Sequence, residues 1–310
     1  MSSFSLSRRT LLAGLGGLAL SGGLASSPAR ADAPDGLLTR AIPGTEERLP
    51  LIGMGSWITF NVGNDEALRR QRTEVLRAFF ELGGGVVDSS PMYSSSPKVI
   101  GYALQRIEDS SRLFAATKVW TPLQAMGEEQ MAESRENWGV ERFDLMQVHN
   151  LLNWEGHLET LRAEKDAGRL RYIGITTSHG RRHAEMEEVM TGQPLDFAQF
   201  TYNILDREAE ARLLPLAAEK GLGVIVNRPF QRKELIRKVQ DKPLPEWAGE
   251  IDCANWPQFL LKFIVSHPAV TCAIPATTRV DHMVENMGAM TGRLPDAELR
   301  RRMIRYVEEL

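Results

Sequence analysis

The sequence predicts an α/β protein, a closed (β/α)8 TIM barrel with an N-terminal β-hairpin and a C-terminal helix. Short apolar runs alternate with amphipathic helical segments along most of the chain, which is typical of repeated strand–helix units. The runs are apolar at consecutive positions, as expected for the strands of a parallel sheet that is covered by helices. Chemically reactive side chains stand at the ends of several runs, and the ends of parallel strands meet at one edge of a barrel.

Eight runs are predicted as barrel strands and seven segments as the helices between them. The strands are predicted at residues 51–57, 85–90, 113–120, 144–150, 172–178, 197–203, 223–229 and 271–277. The helices are predicted at residues 66–82, 97–107, 128–138, 158–167, 184–190, 209–220 and 256–265. An open doubly wound sheet is the alternative fold, but a glycine fingerprint normally follows its first strand. Here Gly55 and Trp57 lead into Ile58 instead.

Segments outside the strand–helix alternation complete the predicted architecture. Residues 38–40 and 49–51 flank the turn Pro43-Gly44-Thr45, which predicts a β-hairpin beneath the barrel. Residues 280–290 and 296–310 are predicted as helices after the last strand. Residues 231–255 form one long irregular stretch, and such loops often cover binding sites. We therefore expect this stretch to lie above the barrel mouth.

The first 31 residues are predicted to be a twin-arginine signal peptide, with the barrel domain occupying residues 32–310. Arg8 and Arg9 precede an apolar, glycine-rich stretch, and Ala29-Arg30-Ala31 is a small-x-small cleavage pattern. A frayed helix or a membrane anchor is the alternative, although the apolar run is short for a bilayer span. The prediction is export in the folded state by the twin-arginine machinery to the periplasm or another extracytoplasmic space, with no stable membrane span after cleavage.

Composition excludes some functions and leaves others open. The formal net charge of −3 gives no reason to expect a nucleic acid partner. The sequence contains no cluster with metal-ligand spacing, so no metal site is predicted. Cys253 and Cys272 are the two cysteines. They could pair in an oxidising compartment, but their spacing does not require it, and Cys272 lies in an apolar run typical of a buried residue.

Four reactive side chains stand at or just past successive strand ends. Asp88 ends the second predicted strand, Tyr93 follows it, Lys118 lies near the end of the third, and His149 near the end of the fourth. An acid, a phenol, an amine and an imidazole in this order suit proton donation to a carbonyl that is being reduced.

The sequences around these four residues resemble the aldo-keto reductase family. Asp88 and Tyr93 have the family spacing D-x-x-x-x-Y, and residues 96–104 resemble its S-E-x-x-L-G-x-A-L stretch. Residues 115–120 resemble the strand of the catalytic lysine, and residues 143–149 resemble the D-L-x-x-x-H strand of the histidine. The resemblance extends over residues 38–290 and implies a barrel that reduces aldehydes or ketones with a nicotinamide nucleotide.

The resemblance also implies a role for each of the four residues. Tyr93 would donate a proton to the substrate oxygen as hydride arrives at the carbon. Lys118 would lower the pKa of the Tyr93 phenol, because a nearby ammonium favours the phenolate. Asp88 would pair with Lys118 in the interior. His149 would hydrogen-bond the substrate oxygen and stabilise its developing charge.

By the same resemblance, nicotinamide would be held at the ends of strands five to seven. The residues implied there are Thr176, Thr177, Gln199, Asn227, Arg228 and Phe230. Two of these positions depart from the family. Thr176-Thr177 replaces a common Ser-Asn pair, and Asn227 stands where a tyrosine often stacks on nicotinamide. Arg228 and Phe230 would then contribute charge and contact in place of the missing ring.

The segment after the eighth strand resembles the family's pyrophosphate and adenosine-phosphate site. The residues implied there are Ala276, Thr277, Arg279, His282, Glu285 and Asn286. Ala276 and His282 replace a lysine and an arginine that grip the 2′-phosphate in many members. Arg279 could supply the missing charge, or Arg279 and His282 could simply be an exposed first helical turn. NADPH is therefore the expected cofactor, and NADH the alternative.

Three tryptophans are candidates for an apolar pocket for a small carbonyl substrate: Trp57, Trp120 and Trp154. Each could instead be a core residue. A second function also remains open, because the potassium-channel β subunits resemble this family. The chain could accordingly be a non-enzymatic protein that senses nicotinamide nucleotides on the same barrel.

Overall fold

A computed structural model describes residues 36–310, and its central feature is a parallel barrel of eight strands. The predicted signal segment, residues 1–31, lies outside the described residues. The barrel strands are β3 (Met54–Gly55), β4 (Val86–Asp88), β5 (Phe114–Val119), β6 (Phe143–Val148), β7 (Leu170–Thr176), β8 (Phe197–Thr201), β9 (Gly223–Asn227) and β10 (Cys272–Ala273). Neighbours in the chain are neighbours in the sheet throughout. The predicted (β/α)8 class is confirmed.

Helices connect and follow these strands. They are α1 (Glu66–Glu81), α2 (Ser96–Leu104), α3 (Gly127–Trp138), α4 (Trp154–Asp166), α5 (His183–Gly192), α6 (Leu213–Lys220), α7 (Glu234–Val239), α8 (Trp256–Val265), α9 (Val280–Met287) and α10 (Ala297–Glu309). Side-chain caps begin several of them: Asp65 accepts from Leu68 N at the start of α1, and Asn255 accepts from Gln258 N at the start of α8.

The barrel closes between its first and last strands. Gly53 N donates to Ala273 O at 2.8 Å, Ala273 N donates to Leu51 O at 2.9 Å, and Gly55 N donates to Pro275 O at 3.0 Å. The first and eighth predicted strands are nevertheless much shorter than expected, because only two residues of each form a regular ladder.

A β-hairpin covers the end of the barrel at which the strands begin, as predicted. We call this the lower end, and the end at which the strands finish the upper end. Its strands are β1 (Thr39–Ala41) and β2 (Arg48–Pro50), paired antiparallel. Ile42 and Leu49 are buried against a ring of side chains from the first residues of the barrel strands, including Val86 and Phe114. The hairpin also contacts the segment that follows α8, since Arg40 Nη1 donates to His267 O at 2.8 Å.

The stretch predicted to be irregular, residues 231–255, contains regular structure. It forms α7 and a 3₁₀ segment, Glu246–Ile251. Leu235 and Val239 of α7 and Ile251 are buried in the main core, so the stretch packs against the barrel at several points, while residues 241–243 between α7 and the 3₁₀ segment are exposed and irregular. The expectation of one long irregular loop is therefore wrong.

Candidate active site

The barrel interior changes from apolar to polar along its axis. Side chains alternate between the two faces of each strand, so Phe114 and Lys118 of β5 both point inward. The lower level is apolar and includes Val86, Phe114 and Phe197. The upper level is polar and buried, with Asp88, Lys118, Gln147 and Gln199. The carboxyl ends of the strands therefore enclose a cluster of hydrogen-bonding groups, where barrel enzymes carry their active sites.

Lys118 and Asp88 form a buried ion pair at this upper level. Lys118 Nζ lies 2.5 Å from Asp88 Oδ1, and the two side chains are 0% and 2% exposed. The ammonium also donates to Ser89 O at 2.8 Å. Burial lowers the pKa of Lys118, and the adjacent Asp88 carboxylate opposes this effect. The predicted pairing is therefore present.

Two amides hold the second oxygen of Asp88. Gln199 Nε2 donates to Asp88 Oδ2 at 3.0 Å, and Gln147 Nε2 donates to the same atom at 3.3 Å. The Gln147 carbonyl oxygen is buried without a hydrogen-bond partner among the described residues. Both amides fix the plane of the carboxylate and therefore the position of the Lys118 ammonium.

Tyr93 lies beside this pair, at the end of a 3₁₀ turn, Pro91–Tyr93, that follows β4. The Lys118 ammonium is 5.2 Å from the centroid of the Tyr93 ring. Desolvation raises the pKa of Tyr93 well above its ordinary value, and the Asp88 carboxylate raises it further. Tyr93 is therefore protonated at neutral pH. The effect of Lys118 on the Tyr93 pKa, implied by the family resemblance, stays a prediction.

His149 faces Tyr93 from the end of β6. The two rings meet edge to face, with centroids 5.7 Å apart and planes at 83°. Ser90 Oγ lies 2.8 Å from His149 Nδ1 and also accepts from Met92 N at 3.2 Å. If the Ser90 hydroxyl uses its proton on Nδ1, the neutral imidazole carries its own proton on Nε2. Burial lowers the pKa of His149 well below its ordinary value, as does the Lys118 charge to a smaller extent. The ring is therefore neutral and can donate one hydrogen bond.

The residues implied for nicotinamide lie together at the ends of β7, β8 and β9. Thr177 N donates to Gln199 O at 2.9 Å, and the Thr177 hydroxyl is buried with no partner in the described chain. Asn227 Nδ2 donates to Thr177 O at 2.8 Å, and Asn227 Oδ1 accepts from Thr201 Oγ1 at 2.7 Å. Thr176 is buried beside them. An orphaned buried hydroxyl between amide side chains fits a ligand with its own donor and acceptor, as a carboxamide has.

Arg228 and Phe230 follow β9 but point to different surroundings. Arg228 Nη1 donates to His179 Nε2 at 2.7 Å, whereas Phe230 is partly buried against the main core. Arg228 thus lies on the rim of the mouth. The structure shows Phe230 as a packing residue.

The segment implied for the adenosine phosphate lies around the start of α9. Thr277 and Asn286 are buried, Glu285 is partly buried, and Ala276, Arg279 and His282 are exposed. Arg279 Nε donates to Asp281 Oδ1 at 2.9 Å, and a second bond makes the pair bidentate. A phosphate would have to compete with this carboxylate for Arg279. The sequence already indicates little positive charge at this segment for binding a phosphate. Because Asp281 neutralises Arg279, the structure leaves even less.

The three tryptophans have three different environments. Trp57 contacts the Tyr93 ring, with centroids 6.5 Å apart. Trp120 is 41% exposed at the end of β5. Trp154 is the first residue of α4 and packs partly against the main core. Of the three, only Trp57 is thus shown in contact with the candidate site, and the core alternative applies to Trp154.

Four residues of the site region were not predicted from the sequence: Gln147, Ser90, His179 and Arg232. Gln147 stands two residues before His149 on the same strand, so the alternation of side chains could have placed it in the interior. Ser90 directly follows the strand that ends in Asp88. His179 and Arg232 lie in loops, where no periodicity indicates a direction.

The structure bears on three further expectations. Within residues 36–310, no group of His, Cys, Asp and Glu side chains is placed to hold a metal ion. Every helix in the same range is too short or too polar to span a bilayer. Cys253 is partly buried, Cys272 is buried, and neither forms a disulfide.

Comparison with known proteins identifies the family. Methylglyoxal reductase YeaE of Escherichia coli (strain K12) is 27% identical over 263 residues, which cover 81% of this chain and 89% of that protein. A crystal structure of an aldo/keto reductase from Klebsiella pneumoniae in complex with NADP and acetate superimposes with a TM-score of 0.72. It is 23% identical, and the match covers 88% of this chain and 95% of that one. Residues 51–303 match the aldo/keto reductase family, and because they include all eight barrel strands, the chain belongs to that family.

Proposed function

We propose that this protein is an NADPH-dependent oxidoreductase that reduces aldehyde or ketone carbonyls to alcohols, with NADH as the alternative cofactor. The observation that carries the proposal is the Lys118 ammonium, held by Asp88 and directed at the Tyr93 ring. The names of relatives support it, since one is a methylglyoxal reductase and others were crystallised with NADP or NADPH. When bound, the reduced nucleotide supplies the hydride.

The protein's own residues would manage the proton and the charge. Tyr93, protonated at neutral pH, donates its proton to the oxygen that becomes negative as the carbonyl is reduced. The Lys118 ammonium stabilises the phenolate that remains, and the fixed Asp88 carboxylate keeps that ammonium charged. His149 donates a hydrogen bond to the same substrate oxygen and orients it toward Tyr93. Solvent then returns a proton to the phenolate.

The same strand ends would hold the cofactor. Thr177 and Gln199 would bind the nicotinamide amide, with Thr176 and Asn227 beside them. Thr277, Glu285 and Asn286 would contact the adenosine end. Arg279 and His282 are the candidates for the phosphate there, although Arg279 is already paired.

Turnover of a varied aldehyde panel tests the enzyme proposal. We expect the absorbance of NADPH to fall on mixing, and Tyr93→Phe to lose about 10²–10⁴-fold in kcat. NADPH affinity should stay the same, because the hydroxyl is not proposed to bind the nucleotide. Tyr102→Phe is a matched control, since the Tyr102 hydroxyl bonds Glu66 at the surface. Nucleotide binding without turnover of any aldehyde would favour the sensing protein, and full activity of Tyr93→Phe would remove its assigned role.

We also propose that the protein is exported folded through the twin-arginine route to the periplasm. Support comes from the sequence alone, namely Arg8-Arg9, the apolar stretch and Ala29-Arg30-Ala31. When the native chain is expressed in a bacterium with this route, it should appear in the periplasmic fraction with the mass of a chain whose first residue is Asp32. Replacement of Arg8 and Arg9 by lysine should stop this. Full-length native protein confined to the cytoplasm would contradict the proposal.

A further inference from the structure

Gln147 lies beside Lys118 in the polar cluster of the barrel interior. The two residues are Cα partners in the ladder between β5 and β6, and paired residues of neighbouring strands direct their side chains to the same face of a sheet. Gln147 is completely buried. Its amide therefore stands among the site residues, although solvent does not reach it.

The orientation of the Gln147 amide serves Asp88 and leaves its own oxygen unpaired. Nε2 donates to Asp88 Oδ2 at 3.3 Å, whereas Oε1 is buried without a hydrogen-bond partner among the described residues. A buried carbonyl oxygen without a hydrogen bond destabilises the folded state. The opposite orientation would bring Oε1 against the carboxylate oxygen, which repels it. An apolar side chain of the same length would avoid both effects, so stability does not explain a glutamine at this position.

Two amides meet at Asp88 Oδ2, but they differ in their other contacts. Gln199 donates to this oxygen at 3.0 Å, and it stands among the residues proposed to bind the nicotinamide amide, where Thr177 N donates to its backbone oxygen. Within residues 36–310, the Gln147 side chain bonds Asp88 alone. Gln199 therefore has two tasks in the proposed reaction, whereas Gln147 has one.

We propose that Gln147 is a positioning residue for carbonyl reduction, whose N–H orients the Asp88 carboxylate and so keeps the Lys118 ammonium directed at Tyr93. The proposal rests on the carbonyl reduction proposed above and adds a residue that touches neither the nucleotide nor the substrate. Lys118 binds Oδ1 and the amides bind Oδ2, so the carboxylate is held at both oxygens and cannot rotate about its Cβ–Cγ bond. An ammonium fixed in this way remains 5.2 Å from the centroid of the Tyr93 ring.

Gln147→Met tests the proposal, because it removes the N–H and the unpaired oxygen together and keeps the length of the side chain. We expect kcat to fall about 10-fold, the smaller effect expected for a long hydrogen bond to a charged group. The KM for an aldehyde and the affinity for NADPH, measured by fluorescence titration, should stay the same. The thermal midpoint of the nucleotide-free protein should stay the same or rise. Gln147→His should recover part of the lost kcat, because the imidazole Nε2–H reaches about as far as the amide nitrogen.

Gln258→Met is the matched control. Gln258 of α8 is also buried, but its side-chain oxygen accepts from Ala254 N at 2.8 Å, so the same substitution should lower the thermal midpoint and leave kcat at the native value. If Gln147→Met gave this pattern as well, Gln147 would be a structural residue only and the proposal would be overturned. Weaker NADPH binding by Gln147→Met would overturn it too, because the amide would then act on the nucleotide.

A stability measurement without nucleotide distinguishes this proposal from the one on which it rests. In urea unfolding, Gln147→Met combined with Gln199→Met should lose more stability than the sum of the two single variants, since only then does Asp88 Oδ2 lack an amide donor. Additive losses would show that the two amides do not share Asp88 and would overturn the proposal, whatever the activity. A native protein that reduces no aldehyde, with losses greater than additive, would refute carbonyl reduction and leave the shared hold on Asp88 standing.

Discussion

Asp88 organises the candidate site at the scale of single residues. One of its oxygens binds the Lys118 ammonium, and the other accepts two amide hydrogen bonds. A buried ion pair stabilises a protein little overall, but removal of one partner leaves an uncompensated charge in the interior. The energetic role of Asp88 is therefore to keep Lys118 charged rather than to add net stability.

A double-mutant cycle on this pair follows from that argument. We expect Asp88→Asn to cost about 3–5 kcal/mol of unfolding free energy, because it strands the ammonium. Lys118→Met should likewise strand the carboxylate. The double variant should cost less than the sum of the two, since neither charge then remains. Urea unfolding measures all four proteins.

A pair near the surface provides the control for this cycle. Lys165 contacts Asp196 at 2.6 Å, but its side chain is 37% exposed, so Lys165→Met should cost no more than about 1 kcal/mol. Strictly additive losses at Asp88 and Lys118 would show that the two charges do not depend on each other.

The lowered pKa of His149 predicts that the free energy of unfolding depends on pH. Its pKa is lowered in the folded protein, so below the ordinary histidine pKa the unfolded state binds a proton that the folded state does not. Its contribution is fully present above about pH 6.5 and is lost at up to about 1.4 kcal/mol per pH unit below it. His149→Gln should lose less stability than the native protein between about pH 7 and pH 5. Equal acid sensitivity in urea unfolding would contradict a buried, neutral His149.

At the scale of elements, the hairpin of β1 and β2 serves the fold rather than the chemistry. Leu49 is fully buried against the lower ends of the barrel strands, whereas the polar cluster occupies their upper ends. Arg171 of β7 reaches the hairpin from the barrel wall and pairs with Glu47. The hairpin thus belongs to the same cooperative unit as the sheet.

Leu49→Ala separates stability from activity. We expect it to cost about 2–5 kcal/mol, because it leaves a cavity in a packed layer. The kcat of folded protein should remain that of the native enzyme, since Leu49 lies at the opposite end from Tyr93. Leu123→Ala is the control, because Leu123 is 59% exposed and its truncation should change stability by less than about 0.5 kcal/mol. A stability loss at Leu49 as small as at Leu123 would mean that the hairpin packs loosely.

The elements also show what the sequence could and could not predict. Asp88, Lys118 and His149 could be grouped, because their strands are apolar and the ends of parallel strands meet. The role of Gln199 could not be predicted. Its amide donates to Asp88 from a distant strand, and a sequence does not show which inward-facing side chains of distant strands meet. The raised pKa of Tyr93 depends on its burial and on its distance from Asp88, which a sequence does not contain. Arg232 lies in a left-handed loop that no periodicity describes.

At the scale of the whole molecule, closure of the barrel depends on a narrow seam, the short contact between its first and last strands. Gly53 lies where the first and last strands meet, and a Cβ there would come within 2.8 Å of Val86 O and 3.0 Å of Cys272 Sγ. The strands that meet are short, so few other hydrogen bonds could compensate for a shift. Close backbone approach at this glycine is therefore a requirement of closure.

Gly53→Ala tests this requirement. We expect a loss of about 1–3 kcal/mol, because the methyl group forces neighbouring backbone apart. Gly192→Ala is the control: it ends α5 with no atom near the position of a Cβ, and it should be neutral or slightly stabilising. Thermal unfolding compares the two, and equal midpoints would show that the seam can widen without cost.

The apolar floor beneath the polar cluster has a consequence for the timing of catalysis. Ile42 and Leu49 fill the lower end of the barrel, so the polar cluster is separated from solvent on that side by packed apolar side chains. In the proposed reaction, the proton that recharges the Tyr93 phenolate would enter from the upper end of the barrel, the side from which the alcohol would depart. Reprotonation and product release would therefore compete for the same side of the barrel, and a bulky product that dissociates slowly would delay the next proton as well as the next substrate.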